Sequence, residues 1–266
     1  MVNISIVLFK HPWSEIKPLV DTCLRSDYVN KIYLVDNSPS RMAMEALSPR
    51  VVYTFTGKNL GYGAGHNIAI RESIKDDIRY HLVLNPDIEM EPDILGKIIG
   101  YLDKHPDTAQ VLPKVFYPNG EVQYLCKLLP TPMDLIFRRF IPGRFTAKRM
   151  EKFQLKFTGY NKIMNVPYLS GCFMFLRVAS LKECGIFDER FFMYPEDIDL
   201  TRRLNKRYKT IFYPDVKVIH HHAAESYKSK KLLWIHITNM IKYFNKWGWI
   251  DADRNRINRE ILKQFN

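Results

Sequence analysis

Short apolar runs alternate with segments of helical periodicity through the first third of the chain. The runs predict four buried strands, at residues 3–9, 31–35, 51–56 and 80–84. Apolar side chains at helical spacing predict helices between the strands, at residues 13–24 and 67–74. Because strands that alternate with helices form right-handed βαβ units, the pattern predicts an α/β fold with a mostly parallel sheet flanked by helices.

The rest of the chain is less regular. Residues 138–162 are basic and lack a clean period, so we expect a mobile loop or a helical excursion over the ligand site there. Further elements are predicted as strands at residues 166–177, 210–213 and 216–219, and as helices at residues 94–102, 178–184, 196–206 and 232–244.

Most of the net charge of +12 lies in the last quarter of the chain, where residues 201–266 contain 15 Lys and Arg against 5 Asp and Glu. Such a field attracts anions, which include nucleic acid, acidic lipid headgroups and diphosphate-linked substrates. The sequence has no helix-turn-helix, OB or RRM-like signature, so we expect no nucleic-acid partner. The four cysteines form no CxxC pair and no apolar run reaches ~18 residues, so we expect reduced thiols in a cytosolic protein without a signal peptide or transmembrane span.

Three of the predicted strands end in polar groups, and parallel sheets bind ligands at the carboxyl ends of their strands. Asp36 follows the second strand, a loop with three glycines at alternate positions (residues 59–67) follows the third, and Asn85 and Asp87 follow the fourth. The glycines let backbone amides approach an anion near a helix start, although a tight turn with Asn67 as the helix cap has the same pattern. Asp87 can bind a hard cation that neutralises a diphosphate, with a carbonyl oxygen from Asn85 beside it, although Asn-Pro-Asp also forms plain turns.

An acidic turn begins the helix predicted at residues 196–206. Glu196, Asp197 and Asp199 fall in this turn, directly after a segment rich in aromatic residues. The helix dipole and an i,i+4 pair between Asp199 and Arg203 explain part of this acidity. A carboxylate beside aromatic rings, with a pKa tuned by burial, is also the usual form of a general base.

Three adjacent histidines, at positions 220, 221 and 222, follow a predicted strand. Alternate side chains of a strand point to opposite faces, so one of these histidines, or at most two, can face a single metal ion. A cluster of surface histidines is the alternative interpretation.

Taken together and in this order, these segments resemble the inverting family 2 glycosyltransferases of the GT-A fold, especially the rhamnosyltransferase-like branch that builds bacterial O-antigens and related polysaccharides. The similarity extends from residue 5 to about residue 244 and is carried by SIVLF, LVDNS, NLGYGAGHN, LVLNPD, YLSGCFMFLR, GIFDERFFMYPEDIDLTRR and VIHHHAAES. The resemblance implies a Rossmann-like GT-A domain over residues 1–226, followed by a basic and aromatic helical extension over residues 227–266.

The resemblance implies catalytic and metal-binding roles for particular residues. Asp197 would be the base that deprotonates the acceptor hydroxyl, and Glu196 is the second choice. Asp87 and His220 would hold a divalent metal, Mg²⁺ or Mn²⁺, at the donor diphosphate, with His221 as the alternative register.

Contacts with the donor are also implied. Asn85 stands where family members often have the first Asp of an Asp-x-Asp motif, as is common in this branch, and Ser226 follows the metal-side histidine at the expected distance. The expected donor contacts are Asp36, which would reach the nucleotide base, and Asn59, Gly61, Gly63, Asn67, Asn85, Gly171 and Cys172.

The substrates implied by the resemblance are a nucleotide-sugar donor and a glycan or polyprenyl-diphosphate-linked glycan acceptor. The first expectation for the donor is dTDP-rhamnose, followed by UDP-hexoses, and a single in-line displacement would invert the anomeric carbon. Lysines and aromatic residues between positions 230 and 249 suit a membrane interface, so we expect peripheral contact with the cytoplasmic face of the inner membrane. Packing of this helix on the domain is the alternative, and a non-catalytic basic protein that binds nucleic acid or membrane is the competing function class.

Overall fold

The computed structural model describes residues 1–45, 47–136, 141, 143–221 and 230–265. Its strands are β1 (Val2–Leu8), β2 (Val29–Asp36), β3 (Val51–Phe55), β4 (Tyr80–Leu84), β5 (Ile88–Glu89), β6 (Thr108–Phe116), β7 (Cys126–Lys127), β8 (Met164–Asn165), β9 (Tyr168–Leu169), β10 (Phe173–Arg177) and β11 (Lys209–His220). Its helices are α1 (Trp13–Leu24), α2 (Tyr62–Lys75), α3 (Ile94–Lys104), α4 (Pro132–Leu135), α5 (Gly143–Phe153), α6 (Val178–Cys184), α7 (Glu196–Asn205), α8 (Lys230–Trp247) and α9 (Ala252–Leu262).

The main sheet has the strand order β3-β2-β1-β4-β10-β6-β11-β5, with β8 paired to β11. Strands β1 to β4 are parallel to one another, β6 and β11 are parallel, and β10 runs antiparallel to β4 and β6. The predicted α/β fold with a mostly parallel, helix-flanked sheet is therefore confirmed. Because β10 is antiparallel to β4, its first residue, Phe173, pairs with Leu84, the last residue of β4. The turn before β10 consequently lies beside the carboxyl end of β4.

Helices cover both faces of the sheet, which explains the apolar runs in the sequence. Every residue of β4 is buried, as expected of a parallel strand covered on both sides. Leu82 and Leu84 belong to the larger hydrophobic cluster, and Val83 belongs to the smaller one, beside Leu181 and Leu200. Alternation along the strand thus sends neighbouring side chains into two separate cores.

Helix α2 begins earlier than the sequence predicts. It starts at Tyr62 rather than at residue 67, so most of the glycine-rich segment forms its first turns. The helix begins there because Gly61 adopts a φ of 89°, which turns the chain into the helix. The interpretation of Asn67 as a helix cap is therefore wrong, and this residue lies buried inside α2.

Two predictions of strands also differ from the structure. The strand predicted at residues 166–177 is two strands, β9 and β10, with a turn between them at residues 170–172. The two strands predicted at 210–213 and 216–219 form the single strand β11, which crosses Pro214 through a register shift. The basic stretch at 138–162 contains α5, and its residues 138–140 and 142 lie outside the described part.

The C-terminal helices pack on the sheet domain. Tyr243 and Phe244 of α8 are buried, and Asp251, just before α9, forms a buried ion pair of 2.5 Å with Arg202 of α7. The packing alternative therefore describes much of this region, although Trp234 is 68% exposed. None of the helices in the described ranges is both long and apolar enough to cross a bilayer. The predicted domain boundary at 226/227 and Ser226 fall outside the described residues.

Candidate active site

Asp87 and His220 meet at the edge of the sheet. Strand β11 pairs with β5 so that His220 lies opposite Ile88, and its Nε2 atom is 3.2 Å from Oδ1 of Asp87. His220 is buried, whereas His221 is exposed and lies 3.2 Å from Oε2 of Glu89. Of the two histidines left open by the sequence, His220 is therefore the one beside Asp87.

The environment of His220 stabilises the positively charged form of the imidazole. Burial lowers the pKa of His220, but hydrogen bonds and charge from Asp87 and Cys172 outweigh burial and raise the pKa to about 10. Gln123, which the sequence did not suggest, places Oε1 3.0 Å from Nδ1 of this histidine.

A facing carboxylate and imidazole fit a divalent cation such as Mg²⁺ or Mn²⁺. Such ions are commonly held by one or two protein groups, while waters and substrate phosphates complete the shell. Across the described ranges, no cluster of three or more His, Cys, Asp and Glu side chains is arranged around a common ion position. A diphosphate and water would supply further ligands of a cation held by Asp87 and His220.

The hydroxyl of Tyr62 connects two segments of the site. It lies 2.6 Å from the carbonyl oxygen of Gly171 and 3.0 Å from Oδ1 of Asn85. The backbone amide of Asn85 donates to the carbonyl of Cys172 at 2.9 Å, and its side-chain Nδ2 lies 3.5 Å from Nε2 of His220. The side-chain oxygen of Asn85 thus faces Tyr62, so the expectation that it offers this oxygen beside Asp87 is not met. The sequence did not single out Tyr62, because this residue lies among the glycines of the glycine-rich segment.

Asp197 is held at the start of α7 by backbone amides. Its Oδ2 accepts from Gly171 N at 2.9 Å and its Oδ1 from Ile198 N at 2.7 Å. Burial raises the pKa of Asp197 to about 6, with the charge of Lys127 and these amides opposing the shift. Burial, and then the neighbouring charge of Asp197, raise the pKa of Glu196 well above its ordinary value. With a pKa of about 6, Asp197 is largely ionised at neutral pH and can accept a proton.

The third acid of this turn has a structural role. Asp199 is fully buried and accepts from Arg203 Nε at 2.9 Å, as the i,i+4 spacing predicted. It also accepts from Trp247 Nε1 at 2.8 Å, and Lys246 Nζ lies 2.6 Å away. Asp199 therefore joins α7 to α8 and holds the C-terminal helices against the acidic turn.

The glycine-rich segment packs against the aromatic segment before α7. A Cβ atom on Gly61 would collide with the carbonyl oxygen of Phe192, and one on Gly63 would lie 2.9 Å from Cβ of Phe187. Asn67 is fully buried, and its Nδ2 donates to Phe187 O and to Glu189 Oε1, each at 2.9 Å. These residues shape the site through packing, and their direct contact with a donor stays a prediction.

Asn59 and Asp36 also form local hydrogen bonds. Asn59 Oδ1 accepts from the backbone amide of Gly61 at 3.0 Å. Asp36, at the end of β2, accepts from Tyr53 Oη at 2.5 Å and from Ser38 N at 3.0 Å. Burial opposes the ionisation of Asp36, but these hydrogen bonds outweigh it and lower its pKa. Asp36 is therefore a fixed carboxylate, and its contact with a nucleotide base stays a prediction.

A continuous series of contacts links Asp197 to Asp87. It runs from Asp197 through Gly171, Tyr62, Asn85 and His220 to Asp87. Asp87 also lines a cleft of about 470 Å³, together with residues of α1 such as Ser14 and Thr22. The structure thus brings the predicted base and the predicted cation ligands into one polar network at the carboxyl end of β4.

The chain is similar to known glycosyltransferases. Residues 4–185 match the family model described as "Glycosyl transferase family 2". The chain is 28% identical over 225 residues to the N-acetylglucosaminyl-diphospho-decaprenol L-rhamnosyltransferase of Mycobacterium tuberculosis, covering 77% of this chain and 71% of that protein. It is 29% identical over 254 residues to rhamnosyltransferase WbbL of Escherichia coli K12, covering 91% and 92%. The structure of GalNAc-T7 with UDP, GalNAc and Mn²⁺ has a similar fold, with a TM-score of 0.60, 14% identity, and coverage of 83% of this chain and 43% of that one.

Proposed function

Because the chain belongs to glycosyl transferase family 2, we propose that it is an inverting, metal-dependent hexosyltransferase that uses a nucleotide-sugar donor in the synthesis of a bacterial surface polysaccharide. The first candidate donor is dTDP-rhamnose, since two relatives that match most of the chain are named rhamnosyltransferases. The first candidate acceptor is a polyprenyl-diphosphate-linked sugar, because the name of one relative includes a diphospho-decaprenol acceptor. A UDP-hexose is the second candidate donor.

The observation that carries this proposal is the network between Asp197 and Asp87. One end of it has a buried carboxylate whose pKa is raised to about 6, and the other has a carboxylate and an imidazole 3.2 Å apart. Glycosyl transfer needs a base for the incoming hydroxyl and positive charge for the leaving diphosphate. We propose that Asp197 is the base, and that Asp87 and His220 hold a cation that supplies the positive charge.

In the proposed reaction, Asp197 accepts the proton of the acceptor hydroxyl while its oxygen attacks the anomeric carbon. The bond between that carbon and the diphosphate oxygen breaks, and the electron pair leaves with the nucleoside diphosphate. Attack from the side opposite the leaving group inverts the anomeric configuration. A divalent cation bound by Asp87 and His220 would offset the charge on the diphosphate.

We also propose peripheral contact with the cytoplasmic face of the inner membrane, where a lipid-linked acceptor would be reached. Trp234 and Ile250 are 68% and 99% exposed, and Trp249 is 42% exposed. Aromatic and aliphatic side chains on a basic surface insert into the headgroup region of anionic bilayers. Binding to anionic vesicles that is lost in the double variant Trp234→Ser and Ile250→Ser would support this contact, and unchanged binding would contradict it.

The proposed activity is tested by screening the purified protein against a panel of nucleotide sugars. Thermal stabilisation with and without Mn²⁺ identifies the donor, and transfer to an N-acetylglucosaminyl-diphospho-lipid analogue is then followed by NMR of the product anomer. We expect Mn²⁺-dependent stabilisation by one donor class and an inverted product. A panel that gives neither stabilisation nor transfer would contradict the proposal, and a retained anomer would contradict the mechanism.

A further inference from the structure

Gln123 is a buried amide in the segment between β6 and β7. Its backbone amide donates to the carbonyl of Val115 at 2.8 Å, and the preceding residue, Val122, forms a bridge with Phe116. Only 3% of Gln123 is exposed. The side chain therefore has a fixed position beside the end of β11.

The orientation of the Gln123 amide follows from its partners. Its Nε2 atom donates to the carbonyl oxygen of His220 at 2.8 Å and more weakly to that of Phe116 at 3.4 Å. Carbonyl oxygens only accept hydrogen bonds, so the amide nitrogen must lie on this side and the amide oxygen on the other. Oε1 is consequently the atom that faces Nδ1 of His220, at 3.0 Å.

This contact fixes where His220 carries its proton. An amide oxygen cannot donate, so the hydrogen bond forms only when the proton is on Nδ1. A neutral imidazole has a single N–H, and with that proton on Nδ1 the lone pair lies on Nε2. Nε2 is the atom that lies 3.2 Å from Oδ1 of Asp87.

We propose that Gln123 is a positioning residue that holds the Nδ1 proton of His220 and thereby presents the Nε2 lone pair to a divalent cation shared with Asp87. The inference rests on the cation site of the proposed function and deepens it. Outer hydrogen-bond acceptors of this kind set the tautomer and ring orientation of metal-binding histidines, and their loss weakens metal binding by ~10- to 100-fold.

Two substitutions separate hydrogen bonding from packing. Gln123→Met keeps nearly the same volume but removes the acceptor. Gln123→Glu keeps an acceptor for Nδ1–H in either protonation state. Gln110→Met is the matched control, because Gln110 is also fully buried but lies near the opposite end of β6.

Two readouts are independent of enzymatic turnover. Binding of Mn²⁺, alone and with UDP, is measured by electron paramagnetic resonance of the free ion. The Nδ1–H signal of His220 is observed by NMR of ¹⁵N-histidine-labelled protein with Mg²⁺ bound, and is assigned by its loss in His220→Asn. We expect Gln123→Met to weaken Mn²⁺ binding by ~10- to 100-fold and to lose the protected Nδ1–H signal. Gln123→Glu and Gln110→Met should retain both.

Three results would overturn the proposal. Wild-type Mn²⁺ affinity in folded Gln123→Met would remove the role of Gln123 while leaving the cation site intact. A cation-bound wild-type protein with no Nδ1–H signal from His220 would exclude the tautomer, and this result needs no variant to fold. Failure of the wild-type protein to bind Mn²⁺ even with UDP would remove the proposed cation site and this inference with it.

Discussion

The hydroxyl of Tyr62 lies 2.6 Å from the carbonyl oxygen of Gly171, so the first turn of α2 is tied to the turn that precedes β10. The amide of Gly171 in turn donates to Asp197. The position of the proposed base therefore depends on a residue 109 positions away from Gly171 in the sequence. The phenolic hydroxyl of Tyr62 thus connects the glycine-rich segment, through Gly171, to the acidic turn.

Tyr62→Phe should lower kcat by ~10-fold with little change in KM for the donor, because the turn that orients Asp197 loses its anchor. Removing the hydroxyl should also cost about 1 kcal/mol of unfolding free energy. Tyr160→Phe is the matched control, since Tyr160 is buried and its hydroxyl oxygen lies 2.8 Å from the carbonyl oxygens of both Cys126 and Gln154. Steady-state kinetics that fall equally in both variants would assign Tyr62 a role in stability alone.

The transfer rate should rise with pH through a midpoint of about 6, because burial raises the pKa of Asp197 to about 6 and only its ionised form accepts a proton. Burial and the charge of Asp197 raise the pKa of Glu196 well above its ordinary range, which favours the protonated form of Glu196. Glu196→Gln resembles that protonated form and should retain the profile. The measurement is kcat/KM across the pH range. If kcat/KM did not change with pH in the wild-type protein, or if Glu196→Gln removed the pH dependence, Asp197 would not be the base.

Gly61→Ala should destabilise the fold by more than about 3 kcal/mol, because the new methyl group meets the carbonyl of Phe192 in addition to the strain of a positive φ. Gly120→Ala is the control, since Gly120 has a φ of 85° and no heavy atom within 4 Å of an added Cβ. It should cost only about 1 kcal/mol. Urea unfolding of both variants gives the comparison, and equal losses would mean that the close approach to Phe192 is unimportant.

The buried side chain of His81 in β4 should make stability depend on pH. His81 bonds to Ser5 and Ser73 at 2.8 Å each, and burial lowers its pKa to about 3. Its folded pKa is below the unfolded value, so the unfolded chain binds more protons as the pH falls below about 6.5. The stability advantage of the wild-type protein over His81→Asn should therefore shrink by about 2 kcal/mol between about pH 7 and about pH 5. Urea titrations that give the same difference at both pH values would contradict this.

The ends of the strands could be predicted because each depends on a short stretch of neighbouring residues. The apolar runs ending at Asp36 and before Asn85 specify buried parallel strands, and parallel strands align their carboxyl ends. The sequence did not predict the start of α2, because asparagine is a common helix cap and Asn67 was therefore interpreted as one. The helix begins at Tyr62 because of the backbone conformation of Gly61.

The supporting residues could not be predicted, because their partners are remote in sequence. Gln123 bonds to a histidine 97 positions later, and Tyr62 to a glycine 109 positions later. The spacing of residues along the sequence does not predict contacts between residues so far apart. Helix α9 falls within the helical extension that the resemblance implies, but the hydrophobic pattern did not predict it, because this helix is rich in charged and polar residues and only Arg254 and Ile261 are buried in it.

In the proposed reaction, Asp87 and Asp197 have different roles. Calorimetric titration of nucleoside diphosphate with and without Mn²⁺, in the wild-type protein, Asp87→Ala and Asp197→Asn, tests these roles most directly when combined with transfer assays. We expect Asp87→Ala to lose the affinity gained from Mn²⁺. Asp197→Asn should keep that gain while its transfer rate falls by ~10²- to 10⁴-fold. Wild-type transfer by Asp197→Asn, or undiminished Mn²⁺-dependent binding by Asp87→Ala, would contradict the account.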